Sequence, residues 1–242
     1  MQSDNREDRA LLSDRLKGMW RGQGNGAPQT PSKGPGPLSL FSGGQKSATE
    51  TGTRPSRGLE EFFGYIRGQS GLTILDLGGA TQQNISFITN LGHRLYSESF
   101  LQTLQETFYA DDSADQSNPG RIETFLHHTL NYEPLHFDGV LIWDLLEYLD
   151  PALLAAVVER LHKIVRPKSY MLAFFHSDAK LEAVPQYTFR IQEVNLLHVT
   201  QQGSRNPAQL FNNRSLEKLF GNFESVKFFL TRDRLREVII KA

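Results

Sequence analysis

The chain contains no cysteine, which excludes disulfides, thiolate metal sites and cysteine nucleophiles. It has no apolar run approaching the roughly 20 residues needed to span a bilayer, and its first residues are charged rather than signal-like. A cytoplasmic location with no transmembrane segment is expected. Net charge is scarce as well: 26 Lys/Arg against 27 Asp/Glu leave −1 over 242 residues. That balance hides an asymmetry. Residues 1–57 hold nine basic and five acidic side chains, a net of +4, whereas residues 58–242 hold 17 and 22, a net of −5. The acidic part argues against nucleic acid as a partner of the folded domain, and the basic tail suits an anionic surface, a protein partner or plain solvation.

A hydrophobic content of 38% fits one globular core diluted by a polar segment. Within residues 1–21, Leu12, Leu16, Met19 and Trp20 recur at helical spacing opposite Arg, Lys and Asp, so a short amphipathic helix is expected. It either docks on a partner or surface or packs on its own domain. Residues 22–58 carry nine of the 20 glycines and five of the 11 prolines, which reads as a flexible linker. Residues 59–242 then form the folded domain.

From Leu59 onward, strand and helix patterns alternate. Leu59 to Arg67 reads as a helix, Thr73 to Leu77 as a strand, Gln83 to Leu91 as a helix, Arg94 to Ser97 as a strand and Phe100 to Tyr109 as a helix. Ile122 to Leu126 is expected as a third strand after a polar loop, Phe137 to Ile142 as a buried fourth, Pro151 to Val165 as a helix and Lys168 to Phe175 as a fifth strand. Such alternation implies a parallel sheet with helices on both faces. After a helix at Arg214 to Phe220, the strands Ser225 to Leu230 and Leu235 to Ile240 are separated by four polar residues. So short a link requires an antiparallel hairpin.

The stretch Thr73-Ile-Leu-Asp-Leu-Gly-Gly-Ala-Thr-Gln-Gln-Asn84 is the most informative segment, an apolar strand ending in Asp76 and turning on paired glycines. It resembles the first motif of class I S-adenosylmethionine (SAM)-dependent methyltransferases, with Ala80 and Gln82 where that family usually has glycine. Phe137-Asp-Gly-Val-Leu-Ile-Trp-Asp144 resembles the same family's fourth strand, and Val165-Arg-Pro-Lys-Ser-Tyr-Met-Leu172 its turn into strand five. The reversed terminal strand completes the likeness, which covers residues 59–242. Nicotinamide-binding domains instead carry Gly-x-Gly-x-x-Gly, which is absent.

This resemblance implies an α/β, Rossmann-like, seven-stranded and mostly parallel sheet with an antiparallel C-terminal strand. It implies SAM as cofactor, held by Asp76, Leu77, Gly78, Gly79 and Ala80, with Glu98 on the ribose hydroxyls and Trp143 and Asp144 walling the place where donor and acceptor meet. The adenine would then lie near the end of the third strand. Each residue also has a structural reading: Glu98 as a surface glutamate, Trp143 as a core aromatic, Asp144 or Asp150 as a helix cap. Gln82 either fills the donor pocket or turns to solvent, and the outward rotamer is expected. His176, with Asp178 beside it, is the candidate base for an oxygen or nitrogen acceptor, or a strand-end histidine without a catalytic task.

No metal is expected, because His127 and His128 as strand neighbours would face opposite ways. No cysteine adduct is available to the chemistry. The Asn/Asp-Pro-Pro-Tyr/Phe signature of amino-group methylation is absent, with Asp144-Leu-Leu-Glu147 in its place. The insert from Asp178 to Phe211, with its aromatic and polar mixture, is either an acceptor-recognition region for a small molecule or a covering hairpin with strands at Thr188 to Val194 and Leu196 to Gln201. Two functions follow: methyl transfer to a small-molecule acceptor, or a catalytically inactive methyltransferase-fold binding or regulatory protein.

Overall fold

The computed structural model describes residues 51–109, 115–178, 181–231 and 235–242. The expected amphipathic helix and most of the expected linker lie outside these residues. From Thr51 on, the span expected as linker is structured: Thr51–Pro55 is a strand (β1) and Arg57–Ile66 a helix (α1). Composition misleads here because its turn-forming residues have other tasks. Ser56 caps α1 by accepting from the Leu59 amide at 3.1 Å. Gly58 admits a close approach, as a Cβ there would stand 2.8 Å from Leu172 Cδ1.

The chain continues through β2 (Thr73–Asp76), α2 (Gln82–Asn90), β3 (Arg94–Ser97), α3 (Phe100–Phe108), α4 (Pro119–Thr129), β4 (Phe137–Trp143), a 3-10 turn (Leu146–Tyr148), α5 (Pro151–Ile164) and β5 (Val165–His176). It ends with β6 (Val184–Glu193), β7 (Leu196–Arg205), α6 (Asn213–Leu219), β8 (Ser225–Phe229) and β9 (Leu235–Lys241). The main sheet has the order β3-β2-β4-β5-β9-β8. Its first four strands are parallel, and β9 runs antiparallel to both β5 and β8. The fold is therefore α/β and Rossmann-like, mostly parallel with the C-terminal strand reversed, but among the described residues the sheet has six strands where seven were expected.

The missing strand is the third. Ile122 to Leu126 lies inside α4, where Asn118 Oδ1 accepts from the amides of Gly120 and Arg121 at 3.0 and 3.2 Å and Pro119 opens the helix. An Asn cap followed by Pro is a helix start, and Phe125, Leu126 and Thr129 bury one helical face. A second difference is a separate antiparallel sheet of order β1-β7-β6, formed when the hairpin of the insert pairs with β1.

β2 is buried at every position and β4 at every position except Asp138, as parallel strands covered on both faces require. Leu59, Phe62, Phe63 and Ile66 of α1 share one buried face. An internal ion pair links the sheets: Arg54 of β1 donates to Glu237 Oε1 of β9 at 2.5 Å, while the Gly58 amide donates to Oε2 at 2.5 Å. Both side chains are buried, and the guanidinium lies 5.2 Å from the centre of the Phe174 ring. Among the described residues no helix is long and apolar enough to cross a membrane.

Candidate active site

The chain leaves β2 for β3 on one side, while β4 pairs with β2 on the other, so the strand order reverses at this point. A crevice beyond the carboxyl ends of such strands is where open α/β sheets bind ligands. Asp76 closes β2 and is fully buried. Its carboxylate is engaged from three directions, accepting from Trp143 Nε1 at 2.6 Å, the Gly78 amide at 2.9 Å and Asn84 Nδ2 at 3.0 Å. Burial pushes its pKa up, against the pull of those three bonds.

Gly79 turns the chain with φ of +90°, and Thr81 caps α2 by accepting from the Asn84 amide at 3.2 Å. Asn84 in the first turn is a bracket. Its Nδ2 also donates to the Phe189 carbonyl at 3.2 Å, and its Oδ1 accepts from the Ile191 amide at 2.8 Å, which fastens β6 over the turn. Phe189 in turn stacks on Trp143, with 5.1 Å between ring centres and 7° between planes. Trp143 has φ of +62°, uncommon for a bulky side chain.

That indole lies directly against Gly78, where a Cβ would stand 2.6 Å from Trp143 Cδ1. Trp143 thus occupies a face of the glycine turn that the resemblance assigns to SAM. A bulky substitution at Gly78 would collide with this ring before meeting any ligand. Ala80 and Gln82 do not block the turn: both are exposed, and Gln82 Nε2 bonds Ser86 Oγ at 3.1 Å.

The open space is a cavity of about 240 Å³, walled by Leu77 and Gly78, the start of α3, the end of β4 and residues 186–189 of β6. It is smaller than the roughly 300–1,000 Å³ of pockets for drug-sized ligands. Trp143 and Asp144 line the cavity, whereas Glu98 does not. The Glu98 amide donates to the Asp76 carbonyl at 2.8 Å, and its carboxylate accepts from the Tyr132 hydroxyl. Among the described residues no strand stands at Ile122 to Leu126, whose end was expected to lie near the adenine.

His176 does not line the cavity either. It is buried, its amide donating to Glu147 Oε1 at 2.9 Å and its Nδ1 lying 2.6 Å from Glu147 Oε2. Burial raises the Glu147 pKa against these bonds. The acid on the wall is Asp144, not His176 or Asp178. Asp144 is buried, and burial pushes its pKa up to about 7, against the attraction of His176 and the amides of Asp144 and Tyr187. Asp150 stands at the N-cap of α5 without a side-chain cap bond. His127 and His128 lie on α4, not on a strand, and no group of three metal-ligating side chains is found among the described residues.

The raised Asp144 pKa has a definite sign. A native pKa above the ordinary value of about 3.9 means proton uptake on folding, so the contribution to stability is complete below about pH 4 and is lost as pH rises through about 7. Asp144→Asn is expected to remove this loss. Its melting temperature should gain on wild type between about pH 5 and about pH 8; a constant difference across that range would show that the carboxyl does not titrate there.

Asn84, Tyr187 and Phe189 are site residues that the sequence did not single out as a group. Asn84 reads as an ordinary polar residue in a first helical turn, and only the return of β6 buries it.

No protein-family model matches the sequence, and no curated protein matches it significantly. Solved structures similar in fold include a SAM-dependent methyltransferase from Archaeoglobus fulgidus, at 15% identity over 76% of this chain and 91% of that one, with a TM-score of 0.44. A second is the Burkholderia thailandensis 1,6-didemethyltoxoflavin-N1-methyltransferase with 1,6-didemethyltoxoflavin and S-adenosylhomocysteine bound, at 11% identity over 76% of each chain and a TM-score of 0.43. A third is the glycopeptide N-methyltransferase MtfA in complex with SAM, at 16% identity over 77% of this chain and 94% of that one, with a TM-score of 0.41. The fold assignment itself rests on the strand order and directions given above.

Proposed function

We propose that this chain is a SAM-dependent methyltransferase acting on a small molecule in the crevice between β2 and β4. The observation that carries this reading is the convergence of the glycine turn after Asp76, the start of α3 and the buried Asp144 on one cavity at the carboxyl ends of the parallel strands. Bound SAM supplies its own sulfonium leaving group, so the protein's task is to align and dehydrate the reactants rather than to provide a catalytic triad. Leu77, Gly78, Gly79 and Ala80 are the backbone available to such a ligand, and Glu98 the acceptor for its ribose. Binding requires the Trp143 indole to leave Gly78 and Glu98 to exchange Tyr132 for ligand.

A second reading is favoured by Trp143 itself. With the indole in place the donor site is filled by the protein's own side chain, and the fold serves as a noncatalytic binding or regulatory module. Calorimetric titration of the full chain with SAM and with S-adenosylhomocysteine separates the two. Saturable binding of either supports the methyltransferase reading, and no heat change at millimolar ligand sinks it in favour of the module.

A further inference from the structure

We propose that the cavity beside Trp143 takes a small organic ammonium ion, with Asp144 as its counter-ion. The inference deepens the reading of the crevice as a small-molecule site and names the class of molecule; it does not depend on whether SAM binds.

Four aromatic residues contribute to the wall, Phe100, Trp143, Tyr187 and Phe189, and among the described residues Asp144 is its one carboxylic acid. Among the described residues no lysine, arginine or histidine lines it. Aromatic faces and a carboxylate in a confined space attract a cation and repel an anion. The size of the cavity, about 240 Å³, restricts the guest to a small molecule.

Asp144 is the second, independent pointer. A carboxylate accepts up to about four hydrogen bonds, and buried ones are ordinarily satisfied. Asp144 is 1% exposed, and the donors that reach it are two main-chain amides, its own and that of Tyr187 at a long 3.4 Å. Among the described residues the nearby cationic groups bond other partners, although the His176 ring also attracts Asp144. His176 is held by Glu147, the Arg205 guanidinium stands over the rings of Tyr109 and Tyr148, and Arg236 donates to the Phe211 carbonyl at 2.9 Å. Compare Glu237, whose buried carboxylate receives both Arg54 and the Gly58 amide. A buried acid that lines a cavity with amide donors but no bonded cation is completed by a donor from the guest, and an ammonium group provides both the hydrogen bond and the charge.

Benzylamine, benzyl alcohol and benzoate are three probes of similar size and different charge. Titrated into the full chain without SAM, with binding read by saturation-transfer NMR and calorimetry, benzylamine is expected to bind, benzyl alcohol to bind at least about tenfold more weakly and benzoate not to bind. Asp144→Asn, which keeps the side-chain shape, should weaken benzylamine by at least about tenfold and leave benzyl alcohol unchanged. Gln186→Lys, which brings a cation to the half-buried rim, should do the same and serves if the Asn variant folds poorly. Failure of benzylamine to bind wild type, equal binding of the alcohol, preference for benzoate, or benzylamine binding that survives both substitutions would overturn the proposal. Because SAM is left out, these results are separate from the outcome of the SAM titration.

Discussion

Trp143→Ala is expected to bind SAM on the order of a hundredfold more tightly than the wild-type chain. On the proposed placement of SAM the wild-type indole must first leave its site, which breaks a buried hydrogen bond to the Asp76 carboxylate at 2.6 Å and a face-to-face contact with Phe189. A buried bond to a charged group contributes about 1.5–3 kcal/mol and an aromatic pair about 0.5–1.5 kcal/mol. Together they hold the binding-competent state to a small fraction of molecules, and apparent affinity falls by that fraction. Removing the ring removes the penalty. The same substitution should lower the stability of the unliganded protein by about 3–5 kcal/mol, because it opens a cavity in a packed region, and saturating SAM should restore part of the loss. Calorimetry and melting curves with and without SAM check both effects. Trp143→Leu, with more of the volume retained, serves if the alanine variant is too unstable. Equal SAM affinity in wild type and both variants would show that the indole does not stand in the donor's place.

Arg54→Met is expected to cost about 3–5 kcal/mol of stability, measured by urea unfolding. Glu237 is fully buried and receives the guanidinium on one oxygen and the Gly58 amide on the other. Deleting the cation leaves a carboxylate in an apolar setting with one donor fewer, which is more damaging than losing the pair as a whole. The double variant Arg54→Met, Glu237→Leu should therefore recover much of the loss. A single variant within about 0.5 kcal/mol of wild type, the usual range for surface substitutions, would mean that the pair contributes little to joining β1 to β9.

Much of the fold is legible in the order of the residues. The apolar run Phe137 to Ile142 could only be a buried strand or buried helix segment, and its short length selects the strand. Pro151 opens a helix whose apolar positions repeat at helical spacing, and the short turn before Leu235 forces β8 and β9 to pair antiparallel. The turn at Asp76, Gly78 and Gly79 is equally visible, because glycine is what a tight strand-to-helix turn uses. These features depend on neighbours within one or two turns of chain.

The third expected strand shows where local patterning becomes ambiguous. A short apolar stretch such as Ile122 to Leu126 suits a strand or a helix face, and the Asn118-Pro119 start, which was present in the sequence, decides for the helix. β1 could not be anticipated from composition, since its partner β7 comes from a distant part of the chain and supplies the hydrogen bonds that make Thr51–Pro55 a strand. Gln82 turned outward, so the departure from glycine that stood out in the sequence does not touch the cavity. The sequence alone determined an α/β sheet with a reversed last strand and a glycine turn at Asp76. Only the tertiary structure decided that Trp143 lies on that turn, that Asp144 rather than His176 faces the cavity, and that Asn84 is buried. Each of these depends on β6 folding back over the start of α2, and side-chain direction and burial are set by such long-range contacts rather than by local propensity.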